Sequence, residues 1–230
     1  MTGWTEYCLA LAVFVASHFL PRVCGLRDRL IGKVGRRVYF ATYGLISVGL
    51  LVWVVVAAGR APYVELWPQM PWTRWVPNIA LPVAAVLISC GIGLHNPFTL
   101  GGSRKSPFDP DRPGFAAVSR HPLFLALAIW AGAHLVPNGD LAHVILFGSF
   151  TIMALAAIPA FDRQARMALG PRAATFLDAT SILSLKPLGD RTWLRSNASV
   201  LASRAAIGLL TWAAALHLHA SVIGVSPFPV

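Results

Sequence analysis

Residues 38–58, VYFATYGLISVGLLVWVVVAA, decide the fold class, because they carry no charged side chain. A helix needs about 20 apolar residues, each rising ~1.5 Å, to cross the hydrocarbon layer of a bilayer. This stretch has that length, and as a helix it pairs its own backbone groups where no water is at hand to do so. The rest of the chain agrees. Of 230 residues 56% are hydrophobic and 12% charged, with a mean hydropathy of +0.63, more apolar surface than a soluble domain hides. The expectation is an all-α polytopic membrane helix bundle.

Working outward, five further spans are expected, making about six: residues 4–20, 38–58, 75–94, 122–136, 141–160 and 200–223. Glu6 precedes the first apolar run and the arginines follow it, which is not the order of a secretory leader. The turn PNGD (137–140) joins the fourth and fifth spans and sets them antiparallel. The first five spans form a membrane domain over 1–160. Residues 161–230 add a basic segment and the sixth span to the same bundle.

The net charge of +10 is distributed by topology. Loops 21–37, 95–121 and 161–204 hold 17 of the 19 Lys and Arg, leaving only Arg60 and Arg74 on the other side. The positive-inside rule then places the basic loops in the cytoplasm and both termini outside. No aromatic-interleaved basic patch supports nucleic-acid binding, so membrane lipid is the expected partner. In GLRDRLIGKVGRRVYF (25–40), Leu26, Leu30, Val34 and Val38 recur every four residues beside basic side chains, the pattern of an interfacial helix. Residues 163–195 share its mixed character. NPFTLGGSRKSPFDPDRPG (96–114) reads as a loop. The three cysteines, Cys8, Cys24 and Cys90, imply no disulfide framework.

Seven histidines remain: His18, His95, His121, His134, His143, His217 and His219. Ionisable side chains within a membrane are costly and are functional candidates by default. His95, His143 and His219 suit span ends. His121, between Arg120 and Pro122, suits a helix start with the arginine among headgroups, and is the candidate for a polar group at the cytoplasmic surface. His18 and His134 lie inside their spans, either as packing residues or as ligands of the kind haem iron takes. Small residues (Ala126, Ala128, Ala131, Gly132, Ala133) surround His134, and Trp130 is one turn away on the same face. On one helix His121 and His134 stand roughly 20 Å apart along the axis and about 140° around it, so they have different jobs. The acids after the fifth span, Asp162, Asp178 and Asp190, read as isolated.

VASHFLP (15–21), GRRVYFATYGLISVGLLVWVV (35–55) and SRHPLFLALAIWAGAHLVPNGDLAHVILFG (119–148) together resemble the NnrU family of bacterial membrane proteins, which also includes the 15-cis-zeta-carotene isomerases. The resemblance covers roughly residues 1–160. It implies a protein of the bacterial cytoplasmic membrane. For the isomerases it implies haem b held by histidines matching His18 and His134; Trp130 and His121 are further candidate cofactor-binding residues on their own position in the chain. It also implies a haem-dependent cis-trans isomerisation in which a cysteine three residues before the second ligand exchanges with it. Here that position is Ala131. For NnrU proteins the resemblance implies support of nitrite and nitric oxide reduction. The expected topology puts His18 and His134 at opposite ends of their spans, whereas axial ligands share one depth. His18 with His121, or His134 with His217, meet that condition more simply. Two other readings stay open. RHP before an apolar span is similar to membrane methyltransferases that use S-adenosylmethionine, although their Glu-Glu pair is missing here. The chain would equally serve as a non-catalytic assembly factor for a membrane complex. A hydrophobic small molecule is the remaining candidate partner.

Overall fold

The computed structural model describes residues 3–105 and 107–229, with the side chains of residues 22–24 outside the described set; Arg22 and Cys24 therefore lie outside it. Among the described residues nine α-helices follow one another: α1 (Gly3–Phe19), α2 (Leu26–Val34), α3 (Arg36–Arg60), α4 (Trp75–Gly91), α5 (Pro122–Leu135), α6 (Leu141–Leu169), α7 (Ala173–Asp178), α8 (Lys186–Gly189) and α9 (Arg191–Ile223). Among the described residues no strand forms, only an isolated bridge between Glu65 and Asp140. The protein is all-α, as expected.

The count of six spans is not reached by length. Among the described residues four stretches are long and apolar enough to cross a membrane: Arg36–Arg60, Pro71–Gly91, Leu141–Asp178 and Arg191–Ile223. The fourth expected span is the shorter apolar helix α5, of 14 residues, and the first is α1, of 17. Two helices run well past their expected bounds. α6 continues nine residues beyond Ala160, because nothing breaks it before Gly170, whose φ of +56° suits glycine. α9 starts nine residues before Val200, because Asp190 caps it by accepting from the backbone N–H of Thr192 at 2.7 Å and of Trp193 at 3.2 Å.

The chain divides into two compact units. The first comprises Met1–Pro68 and Asn138–Leu146. Here α1 packs antiparallel on α3. Glu6 near the start of α1 accepts from Trp53 Nε1 at 3.4 Å, while His18 near its end lies edge-on to Tyr43 at 6.0 Å. Tyr7, Ala10 and Phe14, spaced three and four apart, form the buried face of α1. The Tyr7 hydroxyl donates to the Ala142 carbonyl at 2.9 Å. The PNGD turn is tied down by Leu66 N–H to Gly139 O at 2.7 Å and Leu141 N–H to Val64 O at 2.9 Å. α2 buries none of its residues. Leu26, Leu30 and Val34 stay exposed on its surface, as an interfacial helix requires.

The second unit comprises Gln69–Pro137 and Phe147–Val230. α4 is its centre. Ala84 and Leu87 of α4 meet Ala126 of α5, with Phe115 and Ile129 packed around them. α4 and α9 approach closely at small residues, as membrane helices do. A Cβ on Gly208 would sit 2.7 Å from the Ala85 carbonyl oxygen. Ser89 and Arg204 clasp the same two helices: Ser89 Oγ donates to Arg204 O at 2.6 Å and Arg204 Nη1 to Ser89 O at 2.8 Å. α5 and α6 run antiparallel, as the turn between them predicts: Phe124 meets Phe161 at 4.8 Å between ring centres, and Trp130 meets Phe147 at 5.6 Å.

Outward-facing side chains are apolar. Leu45 of α3 is 76% exposed and Leu210 of α9 is 71%. Buried positions include Asn96, Thr99, Arg120, His121 and Asp162. Apolar side chains facing outward on the long helices, with a few polar groups enclosed in an otherwise apolar core, suit lipid as the solvent.

Candidate functional site

The start of α5 is the most polar buried place in the protein. Pro122 takes the first helical position, where its missing N–H costs nothing, and His121 stands at the cap without using its side chain as one. The preceding segment pairs with residues 180–184 through backbone bonds: Arg120 N–H to Ser181 O at 2.7 Å, Ser181 N–H to Ala116 O at 3.2 Å, Ser184 N–H to Val118 O at 2.9 Å. That pairing fixes where Arg120 and His121 project.

Both side chains converge on Asp162 of α6. Arg120 donates through Nε to Oδ1 at 2.8 Å and through Nη2 to Oδ2 at 2.6 Å, a bidentate fork. His121 Nε2 lies 2.8 Å from Oδ1, and its Nδ1 lies 3.0 Å from Thr99 Oγ1. A carboxylate only accepts, so Nε2 carries the proton and the Thr99 hydroxyl donates to Nδ1 of the neutral ring. Asn96 closes the network by donating to Arg120 O at 2.9 Å and accepting from Phe98 N–H at 2.9 Å. Burial pushes the His121 imidazole below its ordinary value. Asp162 pulls it back up, but the Arg120 charge already occupies that carboxylate, so burial prevails.

This corrects three expectations. Asp162 is not isolated, because it is the counterion of Arg120. Arg120 is not among headgroups, being 8% exposed, and His121 is not a surface group, being fully buried. The reason is the hairpin: α5 and α6 fold back at residues 137–140, so the beginning of one meets the end of the other. Asp162, the only acid in α6, was legible by that geometry, whereas Asn96 and Thr99 gave no signal inside a loop without period. Thr99–His121–Asp162 has the hydroxyl–imidazole–carboxylate order of a nucleophilic triad. With Thr99 at 2% exposure and the carboxylate engaged by Arg120, the arrangement acts as a lock between loop, α5 and α6.

The other site residues lie elsewhere. His134, in the last turn of α5, is half-buried, with Nδ1 2.7 Å from the Trp130 carbonyl. Its ring stacks on Phe147 at 5.1 Å and lies 5.4 Å from Trp130. Trp130 itself stacks on Phe150 at 6.1 Å. Ala131 and Ala133 are buried beside it. These residues belong to the second unit. His18 belongs to the first, half-buried, with Nδ1 2.8 Å from the Phe14 carbonyl and Phe14's ring at 4.5 Å. Of the rest, His143 is paired with Asp140 at 2.8 Å, while exposed His217 repeats the carbonyl bond at 2.8 Å to Ala213. Among the described residues no group of three or more His, Cys, Asp or Glu could hold a metal ion.

No curated protein and no solved structure matches this chain significantly. A family model, that of the NnrU protein, does match. Its match runs through the basic tail and α9, where the sequence alone showed little resemblance. With residues 6–227 inside that match, the chain belongs to the NnrU protein family.

Proposed function

We propose that this NnrU family membrane protein binds haem b through His18 and His134 and supports nitrite and nitric oxide reduction at the bacterial cytoplasmic membrane. In this reading its basic loops are cytoplasmic and its termini outside. The carrying observation is the shared state of the two histidines. Each is half-buried in an apolar helix and donates its Nδ1–H to the carbonyl four residues back. That donation places the ring's lone pair on Nε2, the form an iron takes, and holds the ring in one orientation. Bound haem b would supply a redox-active iron. The protein's own share is to orient the two imidazoles, with Trp130 and Phe147 bracing one and Phe14 the other, and to keep water from them.

Ala131 supports the denitrification role over isomerisation. It is fully buried and offers a methyl group where ligand exchange needs a thiolate. The RHP motif supports a lock rather than a site for S-adenosylmethionine, since both His121 nitrogens and the Arg120 fork are spent inside the protein.

The test is the absorption spectrum of the full chain purified after expression with ample haem supply. A Soret band is expected, lost in both His18→Ala and His134→Ala. It should survive in His217→Ala, which removes a histidine in the same hydrogen-bonded state at an exposed position. A colourless parent protein, or a band indifferent to both substitutions, would sink the proposal.

A further inference from the structure

A cleft of about 300 Å³ opens in the second unit where the C-terminal end of α4 and the loop after it face the first turns of α9. Its wall carries Arg112, Arg204, His95, Asn197 and Trp193, and no aspartate or glutamate. Neither arginine meets a carboxylate among the described residues. Arg204 spends Nη1 on Ser89 O, while its Nη2 lies 3.9 Å from where a Cβ on Gly93, another wall residue, would be. Trp193 adds its ring to the wall, while its Nε1–H is buried and has no hydrogen-bond partner among the described residues. The remaining wall is apolar: Leu94, Phe115 and Leu201 line it, and Val200, 61% exposed, leads from it onto the outer surface of α9.

Two guanidiniums without a carboxylate call for an acceptor-rich anion, and an apolar ramp beside them suits an acyl chain. Basic pockets between membrane helices bind acidic headgroups on this principle. We propose that the cleft binds a phosphate group on Arg112 and Arg204, carried by an anionic phospholipid or by a free phosphate ester.

The experiment uses the delipidated full chain in detergent, with thermal stabilisation and tryptophan fluorescence as readouts. Short-chain phosphatidylglycerol, short-chain phosphatidylcholine and inorganic phosphate are the probes. Binding of phosphatidylglycerol but of neither other probe assigns the site to an acidic lipid. Saturable binding of inorganic phosphate that competes with phosphatidylglycerol assigns it to a free phosphate ester. In either case Arg112→Gln should weaken binding about tenfold, the loss of one strong hydrogen bond. Arg204→Gln is less decisive, because that side chain also braces α4. Arg112 is exposed and its side chain makes no bond within the described residues, so Arg112→Gln folds irrespective of the site's role. Absence of saturable binding by both anionic probes, or binding unchanged in Arg112→Gln, overturns the proposal.

Discussion

Replacing Asp162 with Asn tests the lock at the start of α5. The substitution keeps the shape and removes the charge. Arg120, with its side chain 10% exposed, then keeps a buried cation whose two contacts, at 2.8 and 2.6 Å, lose their counterion. The amide also turns a donating NH2 toward the donors of Arg120 or His121, because Asn can offer only one oxygen to three N–H groups. Breaking one side of a buried pair costs about 3–5 kcal/mol, a large share of a typical domain's stability. Replacing both partners, as Arg120→Met with Asp162→Leu, removes the unpaired charge. It leaves His121 Nε2–H short of an acceptor, a loss of about 1–3 kcal/mol, and takes from the Thr180 carbonyl only the long 3.4 Å bond of Arg120 Nη1. The double variant is therefore expected to be more stable than the single one. Cys90 supplies the assay: it is 7% exposed, so with Cys8 and Cys24 changed to Ser its reaction with a fluorogenic maleimide on heating reports opening of the second unit. An Asp162→Asn protein within about 0.5 kcal/mol of its parent, or a double variant no better than the single, would refute the reasoning.

Two further outcomes are expected from the same assay. Gly208→Ala should destabilise by about 1–3 kcal/mol, because the new methyl meets the α4 backbone at Ala85 and Val86, which cannot step aside; Gly148→Ala, with nothing within 4 Å, should be neutral or mildly stabilising, and equal effects at the two sites would refute close packing at Gly208. Stability should also depend on pH through His121. Its folded value is pushed below the ordinary 6.5, so the unfolded chain takes up the proton first. The contribution is then whole above that value and lost as pH falls below it toward the folded one. His121→Gln should flatten this slope, and an unchanged slope would place the titration elsewhere.

The helices were legible because their cause is local. An uncharged run such as 38–58 can satisfy its backbone in lipid only as a helix, and Pro122 and the PNGD turn mark a start and a reversal by their own backbone preferences. Even the antiparallel pairing of α5 with α6 followed from the shortness of the turn. The helix lengths were less legible. Where α6 and α9 run on into basic sequence, polarity marks the edge of a membrane but does not stop a helix; Gly170 and Asp190 do.

What only the tertiary structure decided is which polar groups face one another. Arg120, His121 and Asp162 each look like interface residues when read singly, since a charged group alone belongs in water or among headgroups. Brought together, they offset one another's desolvation and belong inside. Asn96 and Thr99 take their partners from a distant segment that a loop without period does not announce. Composition and periodicity specify how much of a chain prefers lipid. Complementary hydrogen bonding, which acts between atoms within about 3 Å whatever their separation in sequence, specifies the interior and exists only once the chain has folded.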